Sequence, residues 1–121
     1  MRRMICAIEN PLTKILAHPS SRIFGKSPGL YLDMSTIINA CAANNVAIEI
    51  NGDPARLDLD PKYIQYAVAK GAYFTVDSDT HSTLAFCNIN NAIGIAADYG
   101  IPSARILNTY SLPDLKKIFV R

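Results

Sequence analysis

The stretch AYFTVDSDTHS, residues 72–82, determines the architecture that we expect for this chain. Its first half is apolar and predicts a buried strand that ends near Val76. Asp79 and His81 follow two residues apart, so in an extended backbone their side chains point the same way. A carboxylate and an imidazole at the end of a strand are ligands that a borderline divalent metal uses. The stretch therefore predicts a buried strand that leads into a metal-binding segment.

Helical and strand-like patterns alternate on both sides of this stretch. The clearest helix follows Asp33, where apolar residues recur at the spacing i, i+3, i+4, i+7 and i+8. A proline after Asp60 and a glycine at position 71 bound the next helix. The order is α-β-α-β-α-β-α-β-α, and short connections favour parallel strands with right-handed crossovers. The four strands are expected at residues 12–17, 46–50, 72–76 and 105–107.

Length and composition set limits on the class of protein. The chain has 121 residues, which indicates one domain over residues 1–121, and half of its residues are hydrophobic. A net charge of +2 is too small to indicate nucleic-acid or membrane binding by itself. Only 18% of the residues are charged, which suggests that part of the surface is covered. No apolar run approaches the roughly 20 residues that span a bilayer, so a cytoplasmic protein is expected.

Three cysteines support the same compartment. Cys6, Cys41 and Cys87 each lie in a helix-like segment with apolar neighbours, and none has C-x-x-C spacing. We expect all three to be buried, reduced thiols rather than metal ligands or disulfide partners.

Polar residues with metal-binding chemistry lie at the predicted strand ends. In a parallel α/β protein, functional residues gather at the carboxyl ends of the strands. Nitrogen and oxygen ligands without a thiolate favour zinc, manganese or iron. The residues at these ends are His18 after the first strand, Glu49 and Asn51 on the second, and Asp79 and His81 after the third.

Each of these residues also has a structural interpretation. His18 precedes a proline and could serve as a hydrogen-bonding residue, while Glu49 could pair with Arg56. Asp79 and His81 could cap the turn and the helix that follow them. Arg22 and Arg56 lie in the loops after the first two strands, where guanidinium groups beside a metal suggest a phosphate ligand. Two solvated loop arginines are the alternative.

Five segments of the chain together form a recognisable pattern: AIENP (7–11), ILAHPSSR (15–22), AIEINGDPARLDL (47–59), DSDTHS (77–82) and RILNTY (105–110). They resemble the PHP domain, the polymerase and histidinol phosphatase family, and are most similar to the PHP domain of bacterial and archaeal family-X DNA polymerases. The resemblance covers nearly the whole chain. It implies a distorted (β/α)7 barrel, similar to a TIM barrel, with two or three metal ions at the carboxyl ends of its strands.

The resemblance also implies a role for each matching residue. The implied chemistry is hydrolysis of phosphoesters, including DNA 3′ ends, by a metal-activated water. The carried-over roles are metal binding by His18, Asp79 and His81, lining of the site by Glu49 and Asn51, and phosphate contacts by Arg22 and Arg56.

One departure from the family pattern is large. Family members begin with an H-x-H motif on the first strand, whereas this chain has only two histidines, His18 and His81. We therefore expect a partial barrel of about four parallel strands that matches the C-terminal half of a PHP domain. Three functions stay open: a phosphoesterase fragment that is inactive alone, a non-catalytic metal-binding or assembly module, and a small phosphatase completed by self-association. The expected partners are a phosphoester substrate and either a second copy of the chain or a missing N-terminal half.

Overall fold

A parallel β-sheet lies at the centre of the protein. The structure is a computed structural model, and it describes residues 1–120. Ile48 of the middle strand pairs with Leu16 on one side and with Phe74 on the other. Strands that are consecutive in the chain are therefore neighbours in space and run parallel, as the alternating pattern predicts. Within the described residues the strands, in spatial order, are β1 (Ile15–Leu16), β2 (Ala47–Asn51) and β3 (Phe74–Asp77).

Five α-helices accompany the sheet in the described part of the chain. Asp33 caps the second helix by accepting a hydrogen bond from the amide of Thr36, as the sequence predicts. That helix ends at Asn45, which has a φ of 52° in the left-handed region that asparagine tolerates. The helices are α1 (Arg2–Glu9), α2 (Met34–Asn44), α3 (Ile64–Ala69), α4 (Ile89–Asp98) and α5 (Leu112–Phe119).

The two faces of the sheet differ in chemistry. Ile48 and Ile50 of β2 join Phe74 and Val76 of β3 in the apolar core, against which the helices pack. Full burial of each such side chain stabilises the fold by about 1.5–3 kcal/mol. The other face is polar, because Glu49 pairs with Thr75 and Asn51 pairs with Asp77. This polar face positions the candidate site.

The predicted fourth strand is wrong. Residues 103–109 form two short 3₁₀ turns, Ser103–Arg105 and Leu107–Thr109, and pair with the sheet through a single parallel bridge between Phe74 and Ile106. No fourth strand forms because a side chain, that of Asn108, makes the hydrogen bonds to β3 that the backbone of a neighbouring strand would make. Asn108 accepts a hydrogen bond from the amide of Val76 at 2.9 Å and donates one to its carbonyl oxygen at 3.0 Å.

Other element predictions need adjustment. The first strand is confined to Ile15–Leu16 rather than residues 12–17, and a 3₁₀ helix, Thr83–Asn88, precedes α4. A mixed α/β fold with three parallel strands is consistent with part of an α/β barrel. None of the helices in residues 1–120 combines the length and the apolar character needed to cross a membrane.

All three cysteines are free thiols as predicted, but the prediction that they are buried holds for one of the three. Cys41 lies on the buried face of α2, whereas Cys6 and Cys87 are exposed. The apolar neighbours of Cys6 and Cys87 in the sequence do not bury them, because each lies on the solvent side of a short helical segment.

Candidate functional site

Asn51 connects the predicted site residues at the carboxyl end of the sheet. Its side chain is fully buried at 0% exposure. Its Nδ2 donates to Glu49 Oε1 at 2.9 Å and to Asp79 Oδ2 at 3.0 Å, and its Oδ1 accepts from the amide of Asp53 at 2.9 Å. One amide group thus holds a carboxylate of β2 and a carboxylate of the segment after β3 in a fixed arrangement.

Glu49 is a buried carboxylate within this network. Its Oε1 also accepts a hydrogen bond from the backbone amide of His18 at 3.0 Å. Burial raises the pKa of Glu49, and the nearby Asp77 carboxylate raises it further, while the hydrogen bonds from Asn51 and His18 act in the opposite direction. Glu49 therefore links the segment after β1 to β2 and retains a proton more readily than an exposed glutamate.

Asp77 is a site residue that our sequence analysis missed. It ends β3, pairs with Asn51 across the sheet, and its Oδ2 accepts a hydrogen bond from the Thr75 hydroxyl at 2.8 Å. A signal was present in the sequence, since Asp77, Asp79 and His81 recur at a spacing of two residues. The register between β2 and β3 brings Asp77 beside Glu49, and that register cannot be read from the sequence.

Arg56 approaches the carboxylate of Asp79. Its Nε lies 3.3 Å from Asp79 Oδ2, the oxygen that Asn51 also contacts. The alternative in which Arg56 pairs with Glu49 is wrong, because the guanidinium pairs with Asp79 instead. Asp79 has a φ of 54°, so the chain turns sharply after β3 and brings its side chain back toward β2.

His81 is fixed at one ring nitrogen and open to solvent at the other. Its Nδ1 lies 2.7 Å from the carbonyl oxygen of Asp79 and 3.7 Å from the Oδ1 of the same residue. A carbonyl oxygen only accepts, so Nδ1 is the donor in this contact, and the tautomer that matches it has its lone pair on Nε2. The side chain is 81% exposed, which leaves that nitrogen accessible to a ligand.

His18 lies two residues beyond β1. Its ring Nδ1 is 3.4 Å from the Ser21 hydroxyl, and its backbone has a φ of 27°. The segment after β1 therefore turns at the histidine, and the backbone amide, rather than the ring, makes the described contact with Glu49.

Arg22 links the loop after β1 to the loop after β2. Its Nε donates to the carbonyl oxygen of Arg56 at 2.8 Å, its Nη1 pairs with Asp60 at 2.9 Å, and its Nη2 donates to the carbonyl oxygen of Leu57. The guanidinium also lies over the Phe24 ring, 4.8 Å from its centroid. Arg22 thus holds in place the loop that carries Arg56, and its contact with phosphate stays a prediction.

The donor types suit a divalent ion, although the side chains are not gathered around one point. Among residues 1–120, no group of three or more histidine, cysteine, aspartate or glutamate side chains is arranged to hold a metal ion. Imidazole and carboxylate groups are nevertheless the ligands that zinc and manganese accept. Asp79 and His81 are adjacent, and Asp79 Oδ1 and His81 Nε2 are the atoms that the network leaves open to a ligand. The assignment of His18, Asp79 and His81 as metal ligands stays a prediction.

Comparison with known proteins identifies distant relatives. No family model matches the chain. The chain is 28% identical over all of its 121 residues to the DNA polymerase/3′-5′ exonuclease PolX of Bacillus subtilis, of which it spans 21%. It is 28% identical over 113 residues, 88% of its length, to a probable phosphatase of Tolumonas auensis, and spans 44% of that protein. A probable phosphatase of Aeromonas hydrophila is 26% identical over 110 residues, 86% of the chain and 42% of the relative.

The chain is a distant homologue of these proteins. It spans about a fifth of the polymerase relative and less than half of each phosphatase.

Proposed function

We propose that the chain is the C-terminal half of a PHP-type, metal-dependent phosphoesterase. The observation that supports this proposal is the hydrogen-bonded network at the carboxyl end of the sheet. There Asn51 joins Glu49 to Asp79, and Arg56 lies against the same Asp79 carboxylate. A buried amide that fixes two carboxylates beside a cationic side chain is the arrangement expected of a site for phosphate and metal.

Each residue has a distinct task in this proposal. Asp79, His81 and His18 would hold a zinc, manganese or iron ion. When bound, such an ion lowers the pKa of a coordinated water and neutralises phosphate oxygens. Asn51 keeps Asp79 oriented, and Glu49, whose pKa is raised by burial, is suited to carry a proton near the site.

Two arginines complete the assignment. Arg56 would turn from Asp79 toward the phosphate group, because a guanidinium can donate to two phosphate oxygens at once. Arg22 supports this task from a distance, because it binds the backbone of the loop that carries Arg56. The substrate is a phosphoester, and the PolX relative makes DNA 3′ ends the first candidate.

A small phosphomonoester is the second candidate substrate. The relatives named as probable phosphatases match 88% and 86% of the chain and favour it. Comparison of a 3′-phosphorylated oligonucleotide, an unmodified single-stranded oligonucleotide and nitrophenyl phosphate separates the two candidates. The chain needs the remaining part of the site, or a second copy of itself, for full activity, so we expect slow turnover by the isolated chain.

Metal binding by the isolated chain tests the proposal. Calorimetric titration with Mn²⁺ is expected to show a saturable site that Asp79→Asn weakens at least about tenfold, because a coordinating oxygen is lost. Asp98→Asn is the matched control, since Asp98 is an exposed aspartate at the end of α4. Equal binding by both variants and the wild type, or no saturable binding, would contradict the metal-dependent assignment.

A further inference from the structure

Asp58 is a buried carboxylate that has no part in the chemistry proposed above. It lies in the loop after β2 and is 1% exposed. Its Oδ2 accepts hydrogen bonds from the backbone amide of Ser20 at 3.0 Å and from the Ser20 hydroxyl at 2.7 Å. Both bonds join the loop after β2 to the loop after β1, across 38 residues of the chain. Burial of a carboxylate costs free energy, so this double contact calls for an explanation.

The backbone of Asp58 is joined to the candidate site. Its carbonyl oxygen accepts a hydrogen bond from the amide of Asn51 at 2.5 Å, and the amide of Leu59 donates to the carbonyl oxygen of Glu49 at 3.1 Å. The side chain of Asn51 in turn holds the Asp79 carboxylate. Asp58 is therefore fixed to the end of β2 by its backbone and to the loop after β1 by its side chain.

Ser20 belongs to the tight turn that carries His18. The amide of Ser21 closes this turn by donating to the carbonyl oxygen of His18 at 2.8 Å, and Pro19 within the turn is buried. The backbone of His18 has a φ of 27°, which residues other than glycine rarely adopt. Such a conformation persists where the surrounding contacts hold it, and the two bonds from Ser20 to Asp58 are contacts of this kind.

We propose that Asp58 is a positioning residue for metal binding. Through its two hydrogen bonds to Ser20, it holds the turn that carries His18 in place relative to Asn51 and Asp79. This inference rests on the proposed function, in which His18 and Asp79 are ligands of one metal ion. Groups that orient a metal ligand without touching the metal change the affinity about 10- to 100-fold when they are removed.

Three substitutions alter the link between Asp58 and Ser20 to different extents. Ser20→Ala removes the hydroxyl bond and leaves the amide bond, whereas Asp58→Ala removes both. Asp58→Asn can keep both, because one oxygen accepts them and an amide carbonyl can take its place. The atom that changes is then Oδ1, which is buried without a hydrogen-bond partner within residues 1–120.

Ser35→Ala is the matched control. It also removes a hydrogen bond from a serine hydroxyl to an aspartate, since Ser35 donates to Asp33 at 3.1 Å. This pair is exposed and lies at the start of α2, outside the candidate site. A general effect of losing such a bond should therefore appear in both serine variants.

Broadening of the two histidine ring signals by paramagnetic Mn²⁺ is followed by NMR. The chain contains two histidines, so His81 serves as an internal reference for His18. In the wild type we expect Mn²⁺ to broaden both rings. At Mn²⁺ concentrations that broaden His81 equally, Ser20→Ala and Asp58→Ala should show less broadening of His18. Asp58→Asn and Ser35→Ala should match the wild type.

Calorimetric titration supplies the affinity. Asp58→Ala should weaken Mn²⁺ binding about tenfold, and Ser20→Ala should weaken it less, because one of the two bonds remains. All variants are measured well below their melting temperatures. A purely structural role would lower the melting temperature and leave both the Mn²⁺ affinity and the ratio of His18 to His81 broadening unchanged, and that result overturns the proposal. If Asp58→Ala does not fold, Ser20→Ala alone decides in the same way.

Failure of this inference differs from failure of the proposed function. If Mn²⁺ broadens His81 but not His18 in the wild type, a metal binds without His18, and positioning by Asp58 is overturned while the metal site itself stands. If Mn²⁺ broadens neither ring and calorimetry shows no saturable binding, the proposed function fails and the inference fails with it.

Discussion

Glu49 lies almost entirely out of water, and its protonation should set part of the pH dependence of stability. Burial raises its pKa above the ordinary value of 4.5, so the folded state favours the protonated form. The stabilising contribution is complete below about pH 4.5 and is lost as the pH rises through the folded-state pKa. Glu49→Gln should therefore raise the melting temperature at pH 7, and the gain should vanish below about pH 4.5.

The geometry makes glutamine a fair replacement. Both hydrogen bonds to Glu49, from His18 and from Asn51, are accepted by the same oxygen, so one amide carbonyl can retain them. Thermal unfolding of Glu49→Gln and of the control Asp98→Asn between pH 4 and pH 8 measures the effect. A glutamine variant less stable than the wild type at pH 7 would show that the charged form is preferred in the folded protein.

The three cysteines should differ sharply in reactivity. Burial raises the pKa of Cys41 to about 12, so its thiolate is scarce at pH 8 and its sulfur is also shielded by the core. Cys6 and Cys87 are exposed. Iodoacetamide should modify Cys6 and Cys87 in the native chain and all three cysteines in denaturant, as peptide mass spectrometry can establish. Rapid native labelling of Cys41 would show that the core beneath α2 opens readily.

At the scale of elements, the side chain of Asn108 replaces a fourth strand along β3. Its two hydrogen bonds to Val76 should each contribute about 0.5–1.5 kcal/mol, so Asn108→Ala is expected to cost about 1–3 kcal/mol. Asn90→Ala, at an exposed position on α4, should change the free energy of unfolding by no more than about 0.5 kcal/mol. Urea denaturation compares the two variants. Equal effects would mean that these two bonds add nothing to stability.

Elements with a clean local pattern could be predicted from the sequence. The apolar spacing after Asp33 and the alternation along residues 46–50 identify α2 and β2, because each pattern is periodic and each element packs one face on the core. The turns at Ser103–Arg105 and Leu107–Thr109 could not be predicted. The Asn108 side chain makes the hydrogen bonds to Val76 that a strand backbone would otherwise make, and a single side chain leaves no periodic pattern in the sequence.

The candidate site was predictable in its residue types but not in its contacts. The strand-end positions drew attention to Glu49, Asn51 and Asp79, which one network joins. The contact of Arg56 with Asp79 and the position of Asp77 depend on loop geometry and on register between strands. Those relations are non-local, and a single sequence does not encode them in any readable spacing.

At the scale of the whole molecule, apolar surface at one edge of the sheet should lead to self-association. Within residues 1–120, β1 is an edge strand that pairs only with β2, and nearby Ile15 and Leu12 are 45% and 85% exposed. An edge with apolar side chains and open backbone groups favours pairing with another chain.

We expect sedimentation at micromolar concentration to show a dimer that Ile15→Lys weakens, because a lysine on the edge strand opposes pairing. Leu84→Lys, at an exposed position in the 3₁₀ helix Thr83–Asn88 and outside the sheet, should leave the dimer intact. A wild-type monomer of 13.2 kDa that unfolds cooperatively would exclude the assembly, and with it the idea that a second copy completes the site.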